Sequence, residues 1–545
     1  MRHPMLPLGL VMALALALSA CAPLAPQPGK TYQLTILHTN DHHGRFWKNS
    51  NGEYGMAARK TVVDQIRKEV AAQGGHTLLL DGGDVNTGVP ESDMQDAVPD
   101  FKGMNLLGYD AMAVGNHEFD KPLAVLEMQR KLAAFPLLSA NIYTTSGQRM
   151  FAPYNVFNMN GLRVAVMGLT TEDTRHMVSP DNVKGIEFRK PQAEAATLVP
   201  ELRSKADVVI AATHMGHYEN GQHGTQAEGD VELARAVKGL DLIVGGHTQN
   251  PACMKAENVL DRAYVPGTPC QPDRQNGTWI VQAHEWGKYV GRADFTYRDG
   301  TFTLVKYQLI PINLKRNVTG ADGKPQLQTY TPEIAEAPEM LTLLQPYQDK
   351  GKELLSQPVG STDARIEGDR AVVRSKPAAL GVMIGRAMLD KTGADVAIVN
   401  SGGVRDSLPA GQLTYRHILT VHPFGNTVTV VQLSGRELLD YLNAAARMSV
   451  GSGAFPQFAG VELVIEQGKV SSATIGGKPL AADGTYRLAI NNFMAQGGDG
   501  YPKLNTHPGY RDTGFTDAEV LRGYIQARSP IKAADFDPGQ AVQRR

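Results

Sequence analysis

The sequence predicts an α/β protein of more than one domain, and three observations carry that prediction. The chain has 545 residues, more than a single hydrophobic core accommodates. Short apolar runs recur through its first half, and most end in polar or glycine-rich turns. Helical-looking stretches lie between several of them. In order, the runs Leu34 to Leu37, Leu78 to Leu80, Met112 to Val114, Leu162 to Met167, Val208 to Ala211, Leu242 to Val244 and Ile280 to Val281 read as strands. Ala57 to Val70 and Ala193 to Lys205 read as helices. In such sheets ligands sit at the carboxyl ends of the strands, so the residues just after each run matter most.

Asp41-His42-His43 comes after the first run, Gly82-Gly83-Asp84 after the second and Gly115-Asn116-His117-Glu118 after the third. Later runs lead into Thr213-His214 and Gly245-Gly246-His247-Thr248-Gln249. Singly, each has an ordinary reading: an ion pair for Asp41 and His43, a helix cap for Asp84, a core histidine for His214, a turn filler for His247. Together they deliver Asp, His, Asn and Gln to one rim, which is the composition of a metal site. The glycines let backbone pass close to a cation, and no Cys competes, which favours divalent Zn, Mn, Mg or Co. In the turn Val114 to Asp120, Asn116 offers a neutral oxygen ligand, and His117, held by Asp120, can meet phosphoryl oxygens or a departing group. His42 is expected to point away from His43 if the segment is extended. His217 and His223 lie in a glycine-rich loop and read as supporting or solvated residues, and His284 reads as structural.

The formal net charge of −1 gives no bulk attraction to nucleic acid or anionic membranes, and nucleic acid is not an expected partner. The N-terminus carries Arg2, an apolar run from Leu8 to Leu18 and then Leu18-Ser19-Ala20-Cys21, a secretory signal too short to span a membrane. The Leu-Ser-Ala-Cys ending resembles the bacterial lipoprotein box, which implies cleavage before Cys21 and a lipid on its thiol; the plainer alternative is a signal peptide with an incidental Cys. In an exported chain Cys253 and Cys270 are expected to form a disulfide, worth on the order of 3 kcal/mol in the chain-entropy model.

Taken as a set, Asp-x-His, Gly-Gly-Asp, Gly-Asn-His-Glu, a lone His and Gly-Gly-His-x-Gln resemble the calcineurin-like metallophosphoesterases, and more closely the bacterial 5′-nucleotidase/UDP-sugar hydrolase family. The segment from Tyr264 through Cys270 to His284-Glu285-Trp286-Gly287 carries the same resemblance, Cys pair included. The resemblance implies a four-layer metallophosphoesterase α/β sandwich with a second, smaller α+β domain. It implies two divalent metal ions, with Asp41, His43 and Gln249 on one, Asn116, His214 and His247 on the other, and Asp84 bridging both. His117 and Asp120 would form the catalytic dyad.

Past about residue 313 the text turns polar, and Glu333 to Leu355 reads as a helix that, on the family analogy, separates two bodies and lets them rotate. Beyond it lie Gly402-Gly403-Val404-Arg405, Pro423-Phe424-Gly425-Asn426 and a glycine-rich loop from Asn492 to Gly500. Two Phe in such loops can sandwich a flat base, although burial is the commoner fate of Phe. By the resemblance, Phe424 and Phe493 stack the base, Asn426, Gly453 and Asp499 contact the nucleoside, and Arg370, Arg374 and Arg405 hold phosphates or the ribosyl end. Arg370 and Arg374, four apart, project together if helical.

The expected organisation is a signal at 1–20, a tether at 21–30, a catalytic domain at 31–330, a linker helix at 331–356, a nucleotide-binding domain at 357–530 and a tail at 531–545. The expected function is an exported, monomeric hydrolase of nucleoside 5′-phosphates, UDP-sugars and nucleoside di- and triphosphates, lipid-anchored in the periplasm at the outer membrane. The alternatives are a 2′,3′-cyclic phosphodiesterase/3′-nucleotidase relative and a nucleotide-binding lipoprotein without catalysis.

Overall fold

The structure is a computed structural model that describes residues 26–178, 182–218, 228–320 and 323–545. The signal, Cys21, the rest of the tether through residue 25 and His223 lie outside the described residues. Each apolar run of the first half becomes a strand, and the strands fall into two six-stranded sheets. One runs Thr301–Pro311, Tyr289–Arg298, Tyr32–Thr39, His76–Asp81, Ala111–Ala113, Leu137–Leu138. The other runs Asp273–Gln275, Thr278–Val281, Leu242–Val244, Val208–His214, Leu162–Thr170, Tyr154–Met159. The inner strands are parallel; the outer partners are antiparallel except Leu137–Leu138, which pairs in parallel with Ala111–Ala113.

Side-chain alternation sets the layers. Leu34, Ile36, Leu78 and Leu80 meet Val164, Val166, Ile210 and Val244 between the sheets. Leu37, Leu79 and Met112 face outward onto a helical layer that includes Met56–Ala72 and Val98–Leu107. On the far side Met167, Val209 and Ile243 pack against Pro191–Lys205 and Asp230–Ala236. Burial on both faces is why these strands read as continuous apolar runs. The result is the expected helix/sheet/sheet/helix sandwich. Cys253 and Cys270 are disulfide-bonded and buried with the intersheet core.

The linker helix departs from expectation. It begins at Pro338, not Glu333, and runs to Leu355. The preceding residues are tied down in extended form: Asn313 bonds the Ile334 N–H and C=O through its side chain, and Ala337 N–H donates to Ala57 C=O. Pro338 then opens the helix where a missing N–H costs nothing. Met340 and Leu344 bury in the first domain's core, and the helix also contacts Tyr415–Val421 of the second domain, so it packs mainly with the first domain while lying against both.

The second domain is α+β. Its five-stranded sheet runs Pro456–Ala459, Val396–Asn400, Thr485–Asn491, Thr427–Ser434, Tyr510–Thr516. Helices Ala379–Thr392 and Asp517–Arg528 cover one face and Gly435–Ala446 the other. Residues 531–545 are not a free tail. Phe536 is buried in the core, and Val542–Arg544 pairs in parallel with Val461–Glu466, extending a second sheet.

Candidate active site

The loops after the five strands zip onto one another through backbone. Asp41 N–H donates to Gly83 C=O, His43 N–H to Asp84 C=O and Gly44 N–H to Val85 C=O. A methyl group on Gly82 would lie 2.6 Å from the Gly245 oxygen, and one on Gly115 would lie 2.2 Å from Asp84 Oδ1, so glycine is required at both. Asp41, His43, Asp84, His247 and Gln249 all take left-handed backbone, with φ of 51°, 49°, 61°, 79° and 57°. Each costs about 1–2 kcal/mol for a residue with a Cβ. The segment 41–43 is therefore not extended, so the condition under which His42 is expected to point away from His43 is not met. Its twist turns Asp41 and His43 to the site, while His42 turns away to Asp100, 2.9 Å from its carboxylate, and to Arg59 at 3.3 Å.

The histidines have their tautomers set by carbonyls, which only accept hydrogen bonds. His43 Nδ1–H donates to Thr87 C=O at 2.8 Å, leaving the Nε2 lone pair facing Asp41 and Asp84 at 3.8 and 3.9 Å. His214 Nδ1–H donates to Gly82 C=O at 2.7 Å, leaving Nε2 beside Asp84 Oδ2 at 2.9 Å and His247 Nδ1 at 3.2 Å. This is the outer hydrogen bonding that aims metal-binding imidazoles. Asn116 Oδ1 is buried with no hydrogen-bond partner among the described residues. Donor atoms of His43, Asp84 and His117, and of Asp84, His214 and His247, cluster within 4.8 Å, with Asp84 in both groups. Burial pushes Asp41 up to about 7, with His214 opposing and Asp84 adding to the rise. Buried carboxylates, aimed lone pairs and an orphaned amide oxygen fit divalent cations. Gln249 turns its Nε2 to His43 Nε2 at 2.7 Å and its Oε1 to Arg370 at 3.3 Å. A half-turn of that amide would offer its oxygen to a cation beside Asp41 and His43.

The 3₁₀ turn His117–Phe119 brings His117 Nδ1 to 2.5 Å from Asp120 Oδ2. Burial lowers the His117 pKa, but Asp120 and Asp84 outweigh it and lift it to about 9. Glu118, to which the sequence assigned no task, points inward and accepts backbone N–H groups from both neighbouring ligand loops.

The second domain reaches this rim. Phe424 stacks on His117, ring centroids 6.1 Å apart and planes 15° from parallel, and the Arg405 guanidinium lies 5.4 Å from the same Phe ring. Arg370 and Arg374 share the one-turn helix Arg370–Val373 and its cap. Burial and then Arg370 lower Arg405 to about 10 and Arg374 to about 9. Cations crowded together, Arg374 and Arg405 half-buried and Arg370 exposed, favour an anion. Asp499 accepts from Asn400 at 2.8 Å beside Gly402 and Gly453. Asn426 lies in the Phe424 loop, its carbonyl accepting from Asp517 N–H. Phe493 is 8% exposed and packs in the second domain's core, with its ring against Gly498. Of the remaining histidines, His217 Nε2–H donates to the buried Asp273 carboxylate at 2.8 Å, and His284 Nδ1–H donates to Gln249 C=O at 2.7 Å. Sequence reasoning missed Arg416, which pairs with buried Glu91 across the domain boundary.

Strand ends that gather Asp, His and Asn around a shared carboxylate define a metal-dependent phosphoester hydrolase of the calcineurin-like class. Residues 34–251 match the family model for calcineurin-like phosphoesterase, and residues 358–506 that for the 5′-nucleotidase C-terminal domain. The chain is 57% identical over 520 residues to the protein named UshA of Escherichia coli (strain K12), covering 94% of each. It is 54% identical over 541 residues to a 5′-nucleotidase of Vibrio cholerae, covering 98% of each. A solved 5′-nucleotidase precursor from Thermus thermophilus superposes with a TM-score of 0.75 at 30% identity, over 94% of this chain and 99% of that one. The chain belongs to the 5′-nucleotidase family.

Proposed function

We propose that this protein is an exported hydrolase that releases phosphate from nucleoside 5′-phosphates and cleaves UDP-sugars and nucleoside di- and triphosphates. Asp41, His43 and Gln249 would hold one divalent ion and Asn116, His214 and His247 another, with the Asp84 carboxylate available to both. When bound, such ions neutralise phosphoryl oxygens and acidify a water for in-line attack. His117 carries a proton at neutral pH and gives its Nε2–H to the oxygen that gains charge, while Asp120 fixes its ring through Nδ1. Arg370, Arg374 and Arg405 bind phosphate. Phe424 and Phe493 stack the base, Phe424 exchanging His117 for it, and Asn426, Gly453 and Asp499 contact the nucleoside.

The observation that carries this reading is the meeting of the two domains at one rim: Arg370 reaches Gln249, and Phe424 covers His117. Phosphate release from 5′-AMP, 3′-AMP, 2′,3′-cyclic AMP and UDP-glucose, after chelation and re-addition of Zn, Mn, Mg or Co, tests it. Turnover of 5′-AMP and UDP-glucose is expected. Preference for 3′-AMP or the cyclic ester would make the protein the phosphodiesterase relative, and binding without release would make it a capture protein. We also propose that the chain is a periplasmic, outer-membrane-anchored monomer lipidated at Cys21; a Cys21→Ser chain that remains in the membrane fraction would contradict the anchor.

A further inference from the structure

The Glu118 side chain lies between two of the ligand loops and is 1% exposed. Its Oε2 accepts from Gly115 N–H at 2.7 Å and Asp84 N–H at 3.0 Å, and its Oε1 from Val85 N–H at 2.8 Å and Asn86 N–H at 3.3 Å. Three of these donors are consecutive, at residues 84, 85 and 86, and the run begins with the left-handed Asp84 at φ 61° after Gly83 at φ 91°. Successive N–H groups converging in this way form a concave nest for an anion, and here a side chain of the protein fills it. The fourth donor belongs to the other loop, directly before Asn116. The loops also press together at their backbones: a Cβ on Gly83 would lie 2.9 Å from Gly115 N, and one on Gly115 would lie 2.6 Å from Asp84 N. In the same region His117 N–H donates to Asp84 Oδ1 at 2.9 Å, leaving Asp84 Oδ2 toward His214.

Resting on the metal-ligand assignment above, we propose that Glu118 is a positioning residue: its carboxylate clamps the Asp84 loop to the Asn116 loop and so fixes the spacing between the bridging carboxylate and the orphaned Asn116 oxygen. Two acceptor oxygens are needed, because each oxygen serves two N–H donors. Glu118→Gln keeps the shape and one acceptor oxygen but turns an NH₂ toward two N–H donors. Glu118→Asp keeps the carboxylate but, one methylene shorter, cannot serve both loops in full. Glu118 touches neither substrate nor ion, so its effect appears first in metal affinity.

The test titrates Mn alone into the metal-free full chain, wild type and both variants, by calorimetry, with the melting temperature of each metal-free form measured in parallel. The expected result is Mn binding weakened by about 10- to 100-fold in Glu118→Gln and less in Glu118→Asp, the scale of outer-shell losses. The metal-free melting temperatures should stay close to wild type, and excess Mn should restore part of the 5′-AMP turnover. Wild-type Mn affinity in Glu118→Gln overturns the inference, whether or not the variant is less stable. Failure of both variants to fold also overturns it, by making Glu118 a folding residue. Wild-type protein that binds no Mn, or an Asp84→Asn chain that binds it as wild type does, would instead defeat the metal-ligand assignment on which the inference rests.

Discussion

The metal-ligand rim and the nucleoside pocket are built on opposite principles. The rim gathers several residues that are ordinary singly, in backbone that is costly to hold, and its imidazoles are aimed by neighbours: His43 by Thr87, His214 by Gly82, His117 by Asp120. The pocket uses Phe, Gly and Arg, types that serve equally well in a core, a turn or a surface. Phe424 and Phe493 illustrate this. Both have glycines close by in sequence, yet one lies on His117 and the other, on the short helix Asn492–Ala495, is packed in the second domain's core. Cation chemistry therefore leaves a strong signature in sequence, and recognition of a flat base leaves a weak one.

The comparison can be broken from either side. The largest effect should come from the rim: chelation should abolish 5′-AMP hydrolysis, and one divalent ion should restore it, read as phosphate release. A chelated protein that keeps its rate would remove the rim from the chemistry. Next, Arg405→Ala should lower kcat/KM for 5′-AMP by roughly 10- to 100-fold, the scale of a charged hydrogen bond. Phe424→Ala should be milder, and selective: the preference for 5′-AMP over p-nitrophenyl phosphate should shrink by roughly 2- to 10-fold, the worth of an aromatic stack. Equal losses on both esters would show that Phe424 supports His117 instead of the base. Smallest for activity is Cys253→Ser, which should cost about 3 kcal/mol of stability in a denaturant titration and leave the rate at 25 °C unchanged.

Legibility in the sequence divides along the same line. The strands are read without error where they are buried on both faces, because Leu78 to Leu80 or Val208 to Ala211 has no other reason to be wholly apolar. The residues proposed as ligands stand out because each comes soon after such a run. The left-handed turns at Asp41, His43 and Asp84 do not, since nothing marks a non-glycine residue for positive φ. The late start of the linker helix was written in Pro338, a first-turn proline, but the Asn313 bonds that hold 334 extended come from distant sequence. Val542–Arg544 is too short a strand to rise above the polar text around it. Glu118 acts through backbone N–H groups, which every residue but proline has, so no sequence pattern announces its partners.

The central claim is that His117 is the reactive partner of a metal rim, separate from metal binding. It is tested most directly by His117→Asn, with bound metal counted and phosphate release from 5′-AMP measured on one sample. The account predicts wild-type metal content with turnover reduced by about 10²- to 10⁴-fold, the scale of a positioned acid-base group. Wild-type turnover at wild-type metal content would contradict it.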